Sequence, residues 1–236
     1  MALLETKDLT SGYGELQILW GVDLTLEQGI LTCMVGSNGV GKTTLLRTVM
    51  GLIKPWKGQV LFDGRDVTRL SAHEKASLGL VLVPEGRQLF TDMTVRENLE
   101  LGANPRRARQ KAAKNLERVF DLFPRLKERE RQKAGTLSGG EQQMVAVARG
   151  IMAEPALLMI DELSLGLSPV LTFSLFRALR LLGNQGYTIL LVEQNVHLAL
   201  KVSDYAYILN EGKVELSGPP TEIQGNDKVR AAYLGI

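Results

Sequence analysis

Cysteine is nearly absent from this chain: its 236 residues include one, Cys33, which has no partner for a disulfide within the chain. Cys33 stands inside the apolar run Leu31 to Val35, where a small buried hydrophobe is the expected role rather than a reactive thiol. Long hydrophobic runs are missing too. The longest, such as Ala156 to Ile160 and Thr188 to Val192, are strand-sized and fall far short of the roughly eighteen apolar residues that span a bilayer. Any membrane association is therefore expected to come through a partner. The N-terminus lacks a basic region followed by an apolar one and a cleavage site, which reads as no secretory signal and as cytosolic residence. An excess of one charge is lacking as well: 28 basic against 26 acidic residues leave a net charge of +2, too little to argue for nucleic acid. Arg106, Arg107, Arg109, Lys111 and Lys114 do gather, and are read as a solvated helix face. There is no internal repeat and no low-complexity segment.

What is present is an ordinary globular composition, 44% hydrophobic and 23% charged, in a chain long enough for a full core. One domain with an inserted lobe fits best. From Leu4 to Val35 the pattern is strand-like, with Val22, Leu24 and Leu26 alternating with polar residues before the Glu27-Gln28-Gly29 turn. Gln59 to Phe62 is a further strand closed by Asp63-Gly64. Leu78 to Val83, Leu157 to Ile160 and Ile189 to Val192 are continuous apolar runs separated by helical segments, the layout of a parallel α/β sheet. Between the first two runs lies a charged, helix-rich stretch, about 94–153, which opens with the capping box Thr94-Val95-Arg96-Glu97. Ser168-Pro169 starts another helix, and Asn210-Glu211-Gly212-Lys213 signals a hairpin.

Three segments carry chemistry. Gly36-Ser37-Asn38-Gly39-Val40-Gly41-Lys42-Thr43 matches the Walker A phosphate loop, placed after an apolar strand and before the helical run from Thr44 to Met50. Its glycines let backbone N–H groups curl around phosphate oxygens at a helix N-terminus. Lys42 is expected to reach the β- and γ-phosphates of ATP and Thr43 to bind Mg²⁺. Leu157-Leu158-Met159-Ile160-Asp161-Glu162 is an apolar strand ending in two acids that the strand aims differently. Asp161 is expected to serve Mg²⁺, and Glu162 to act as general base toward the attacking water. Leu137-Ser138-Gly139-Gly140-Glu141 precedes a helix; Ser138-x-x-Glu141 alone would be a capping box, but free N–H groups, two glycines and a hydroxyl also suit phosphate.

With these motifs the chain resembles the nucleotide-binding subunits of ABC transporters over essentially its whole length. The resemblance implies an α/β P-loop NTPase (ABC ATPase) core with an antiparallel β subdomain and an inserted helical subdomain, residues 1–236 forming one nucleotide-binding domain. It implies a second ABC ATPase subunit, related or identical, facing this one head to tail, with Ser138, Gly139 and Gly140 acting in trans on ATP. It further implies transmembrane permease subunits, an extracytoplasmic solute-binding protein, and a peripheral position on the cytoplasmic side of the membrane. Val83-Pro84-Glu85-Gly86-Arg87, Leu191-Val192-Glu193-Gln194-Asn195, Leu122-Phe123-Pro124-Arg125-Leu126 and the ending Ala232-Tyr233-Leu234-Gly235 are similar to the LivF-type subunit of branched-chain amino-acid importers; importers of urea or amides share much of this pattern. Tyr13 matches the aromatic that stacks on adenine.

Departures from the wider family concern the same site. Glu85 stands where most members carry glutamine, and is expected to contact metal or water. Gln194 replaces the switch histidine; its amide donates a hydrogen bond but carries no charge, so a slower site is expected. His197, three residues on, is read as a surface histidine. Leu163 replaces the usual proline and is expected to change loop stiffness more than chemistry. Leu89, Phe90 and Met93 are the candidates for the membrane-subunit contact.

Overall fold

The computed structural model describes residues 1–226 and Val229; the Ala232-Tyr233-Leu234-Gly235 ending lies outside the described residues. The chain enters through two paired antiparallel strands, β1 (Ala2–Tyr13) and β2 (Leu16–Glu27). β3 (Leu31–Val35) follows, then a glycine-rich loop and α1 (Lys42–Met50). β4 (Lys57–Phe62) and β5 (Arg65–Asp66) turn over Asp63 and Gly64, both at positive φ, as a two-residue hairpin demands. They complete a four-stranded antiparallel sheet in the order β2-β1-β4-β5.

Next come α2 (Ala72–Leu78) and β6 (Leu80–Val83). The strand expected from Leu78 starts later because Leu78 ends α2 and Gly79, at φ 113, caps it. Five helices follow: α3 (Val95–Gly102), α4 (Arg106–Arg109), α5 (Ala112–Leu122), α6 (Pro124–Glu128) and α7 (Gly139–Met152). The chain then alternates through β7 (Leu157–Asp161), α8 (Pro169–Asn184), β8 (Thr188–Glu193) and α9 (Val196–Val202). The hairpin β9 (Tyr205–Asn210) and β10 (Lys213–Gly218) and the short α10 (Pro220–Gly225) complete the described elements. The second sheet runs β10-β9-β3-β8-β7-β6. Its strands from β9 to β6 are parallel, and β10 is antiparallel to β9.

Strand alternation divides the core in two. Leu31, Cys33 and Val35 of β3, Leu158 and Ile160 of β7, and Ile189 and Leu191 of β8 face α5, α7, α8 and α9. Met34, Leu157, Met159, Leu190 and Val192 face α1 and the antiparallel sheet. Both faces being covered explains why these strands read as unbroken apolar runs, each aliphatic side chain contributing about 1.5–3 kcal/mol on burial. Cys33 sits in the first cluster, where burial pushes its thiol up to about 12, as suits a structural residue. The helix α7 lies in the first cluster, packing on α3 and α5 and on β6 and β7.

Two cations depart from the solvated role. Arg107, expected on an open helix face, donates to the carbonyls of Ala76, Ser77 and Glu154, and so closes the C-terminal end of α2. Lys75 is wholly buried, donating from Nζ to Val49 O at 2.8 Å, near the C-terminus of α1. The helix dipole favours a cation there, yet burial lowers its pKa to about 8, with Asp66 opposing the shift. Since the folded value lies below the unfolded one, the folded state sheds its proton first, and Lys75 adds stability as pH rises from about 8 towards the free-lysine value. We expect Lys75→Met to be the more stable form below pH 8, with its advantage shrinking above that by at most about 1.4 kcal/mol per pH unit. Denaturant melts of the two proteins from pH 7 to 10 check this; a constant difference would contradict it.

Candidate functional site

The Walker A residues form the loop joining β3 to α1 at the C-terminal edge of the parallel sheet. Gly36 is there because a Cβ would stand 2.3 Å from Leu209 O on the neighbouring β9. Ser37, Asn38 and Gly39 are exposed, Val40 accepts a hydrogen bond from Gly212 N, and Ile18 and Leu19 of β2 press against Gly41. Thr43 and Thr44 lie in the first turn of α1. The helix thus begins at Lys42, two residues before the apolar run suggested.

Lys42 is 4% exposed, and its Nζ donates to Gly36 O at 2.9 Å and Ser37 O at 3.0 Å while standing 3.4 Å from Glu162 Oε1. Walker A and the strand-end acids are therefore one cluster. Asp161, 2% exposed, lies beside the Thr43 hydroxyl, and its Oδ1 is buried without a hydrogen-bond partner. Burial raises its pKa to about 6; the Thr43 hydroxyl opposes this, the charges of Glu162 and Glu85 add to it, and Lys42 opposes it. A buried acid with one free oxygen beside a threonine hydroxyl fits Mg²⁺, a cation held by one or two protein oxygens with phosphate and water completing the shell. Among the described residues no three His, Cys, Asp or Glu side chains form a ready-made metal cluster. Glu85 is itself exposed in the loop after β6, yet close enough to act electrostatically on Asp161.

Glu162 has the left-handed φ of 49 and donates its backbone N–H to Val192 O at 2.9 Å. Leu163 is completely buried, so the residue in place of proline anchors the loop by packing. Ser164 meets Glu193, whose carboxylate accepts from Ser164 N at 2.9 Å and Ser164 Oγ at 2.8 Å. Gln194 and His197 are exposed, as befits the surface reading of His197, and Asn195 caps α9. Tyr13 ends β1, 45% exposed, on the hairpin whose second strand touches the phosphate loop.

At the start of α7, Ser138 and Glu141 form the reciprocal capping box, and Arg129 pairs with Glu141 at 2.7 Å. A side chain at Gly140 would have to displace Leu171 of α8, whose Cδ1 lies 2.3 Å from where the added Cβ would stand. The residues that sequence reasoning passed over tie this helix to the loop after β6. Arg149, on α7, donates from Nη2 to Gln88 O at 2.8 Å and Arg87 O at 3.3 Å, and lies 5.7 Å from the Phe90 ring centre. Arg87 and Gln88 are both at positive φ, and Arg87 Nη1 donates to Gln142 Oε1 at 3.0 Å. Buried Asn98 holds Phe90 from both sides, accepting from its N–H and donating to its carbonyl. The only signal of this strap in the sequence was the placement of Gln142 and Arg149 two turns apart on one helix.

A phosphate loop on a parallel sheet, with a buried lysine and a strand-end acid pair converging on it, defines a P-loop nucleotide hydrolase. A family model described as ABC transporter matches residues 19–164; the chain belongs to this family of ATP-hydrolysing subunits. It is 39% identical to the high-affinity branched-chain amino acid transport ATP-binding protein BraG of Pseudomonas aeruginosa, over 99% of this chain and 100% of that one. It is also 39% identical to the probable branched-chain amino acid transport ATP-binding protein LivF of Archaeoglobus fulgidus, over 99% of each. The lipopolysaccharide export ATP-binding protein LptB of Haemophilus influenzae is 30% identical, over 100% and 98% of the two chains. Among solved structures, an ATP-binding cassette in its ADP conformation superposes with a TM-score of 0.85 at 28% identity, covering 100% of both chains. A dimeric post-hydrolysis cassette bound to ADP and Pi reaches a TM-score of 0.77 at 26% identity, covering 92% of this chain and 98% of that one. Among the described residues no helix is long and apolar enough to cross a membrane.

The buried charge of Asp161 costs folding energy unless a cation joins it. Asp161→Asn is expected to raise the melting temperature of the nucleotide-free protein by a few degrees while lowering ATP turnover by roughly a hundredfold or more. Calorimetry and phosphate release on the same preparation check both; a lower melting temperature would contradict the account.

Proposed function

We propose that this chain is the ATPase subunit of an importer for branched-chain, hydrophobic amino acids. The observation that carries the reading is end-to-end similarity, at 39% identity, to two ATP-binding proteins of branched-chain amino acid transport. The resemblance to LptB is weaker, at 30%, and makes lipopolysaccharide export the second reading.

The site supports a head-to-tail dimer. Within one chain the signature Ser138-Gly139-Gly140 lies beside the loop after β6, which is three strands from β3 in the sheet, roughly 14 Å at ordinary strand spacing. A single nucleotide on Lys42 is completed by the signature of a second cassette, whose free helix N–H groups meet the γ-phosphate. Phosphate oxygens compete for the three donors of Lys42 Nζ, which releases Glu162 Oε1 to take a proton from the attacking water. Mg²⁺, when bound at Thr43 and Asp161 with Glu85 as a water or metal contact, neutralises charge on the β- and γ-oxygens. Tyr13 stacks on adenine, and Gln194 donates to the γ-phosphate without adding charge, making for slower turnover than a histidine would.

Closure of two cassettes then moves permease subunits at the cytoplasmic face of the membrane, where an extracytoplasmic binding protein delivers the solute. Phe90, 52% exposed, leads the apolar contact, with Leu89 and Met93 half-buried behind it. Because Arg149 and Asn98 hold this loop against α7 and α3, displacement at Phe90 is passed to the signature helix.

Glu162→Gln is expected to abolish turnover, by a hundredfold or more on the scale of a lost general base, and to accumulate an ATP-bound dimer on sizing columns. Wild-type turnover in the variant would remove Glu162 from its role. For the solute, vesicles holding this chain with its permease subunits should take up leucine at the expense of ATP. Uptake of urea instead, or extraction of lipopolysaccharide, would replace the amino-acid reading.

A further inference from the structure

Glu162 is held in a conformation that its own backbone resists. A φ of 49 is left-handed, and a non-glycine residue stays there only where its surroundings over-determine it. The restraints are countable along the three residues that leave β7. Glu162 N–H is taken by Val192 O, Leu163 is fully buried, and Ser164 gives both its N–H and its hydroxyl to Glu193. The first and last of these anchors are consecutive residues at the end of β8, and the next residue is Gln194.

We propose that Glu193 is a positioning residue for hydrolysis, fixing Glu162 through Ser164 and coupling the loop that follows Glu162 to Gln194. This rests on Glu162 being the base. A buried carboxylate is a costly way to tie a loop; a neutral acceptor would suffice for stability alone. Glu193 is 1% exposed, and burial raises its pKa above the usual carboxylate range, with the hydrogen bonds from Ser164 opposing and the nearby charge of Glu162 adding to the shift. What the charge provides is stiffness: two charge-assisted bonds to one residue allow neither rotation nor slip of Ser164. The partners of the Glu193 carboxylate are Ser164 and the backbone of Asn195, neither of which is a reacting group. Its effect on the reaction is exerted through the loop.

The test is a double-mutant cycle on steady-state ATP hydrolysis by the full-length protein at saturating Mg²⁺, with Glu193→Gln, Ser164→Ala and the pair. Each single change should lower kcat roughly tenfold, the loss expected for one hydrogen bond to a charged group, and leave KM for ATP within about twofold. The double variant should be no slower than the slower single one, and Ser164→Thr, which keeps the hydroxyl, should restore most of kcat. Losses that multiply in the double variant, losses confined to KM, or a lowered melting temperature with unchanged kcat would each overturn the proposal. If Glu193→Gln fails to fold, the comparison of Ser164→Ala with Ser164→Thr decides alone. Failure of the underlying assignment looks different: Glu162→Gln would then hydrolyse ATP at the wild-type rate whatever the cycle gives.

Discussion

The contact between Lys42 and Glu162 is what the rest of this structure is arranged around. Burying an ammonium of which 4% is exposed is costly without partners, and here three acceptors hold it: two carbonyls of its own loop and the carboxylate 3.4 Å away. Those acceptors come from two places in the chain, the loop after β3 and the end of β7, and bringing them together requires β3 and β7 to run parallel with β8 between them. The crossover helices that parallel strands require cover both faces of the sheet. Covering both faces in turn buries the strand ends, so that the interactions among Lys42, Asp161 and Glu162 are felt at low dielectric.

Low dielectric is also what makes the neighbouring carboxylates informative. Asp161 and Glu193 are both buried, and both titrate above the usual range, chiefly through burial. Their surroundings nevertheless differ. Glu193 accepts from Ser164 on both oxygens, whereas Asp161 keeps one oxygen free of any hydrogen bond. One acid is committed to the loop after Glu162, and the other keeps an acceptor open. Glu162, between them in the chain, keeps 12% of its side chain exposed beside Lys42.

How far this was legible beforehand depended on whether a residue acts through its neighbours in the chain. The phosphate loop, the strand-end acids and the caps at Thr94, Ser138 and Ser168 announce themselves locally, because each depends on spacing of a few residues. The parallel strands were visible as apolar runs for the reason that both faces are buried. Leu78 was assigned to a strand because an apolar residue at a helix end looks the same as one at a strand start; Gly79 decides the matter through its positive φ. Arg107, Arg149 and Glu193 were not legible, since each makes contacts across the fold, 31 residues away for Arg107 to Ala76, 61 for Arg149 to Gln88 and 29 for Glu193 to Ser164. Charge in a helical stretch reads as solvated until the chain end that it caps is known.

The charge balance of the site bears on why one cassette alone would be a poor ATP site. Glu85, Asp161, Glu162 and Glu193 set four carboxylates against the single ammonium of Lys42, and Gln194 adds none of the positive charge that a histidine could bring. A polyphosphate approaching this edge meets a field that opposes it once Lys42 has been used. The helix N-terminus of α1 offsets part of that, by about half a unit of charge. In the proposed dimer the remainder comes from a divalent cation at Asp161 and from the N-terminus of the opposite α7, where the capping box of Ser138 and Glu141 does not take up the N–H groups of Gly139 and Gly140. Substituting glutamine for histidine therefore makes tight nucleotide binding depend more strongly on closure, and ties occupancy of the site to the presence of a facing subunit.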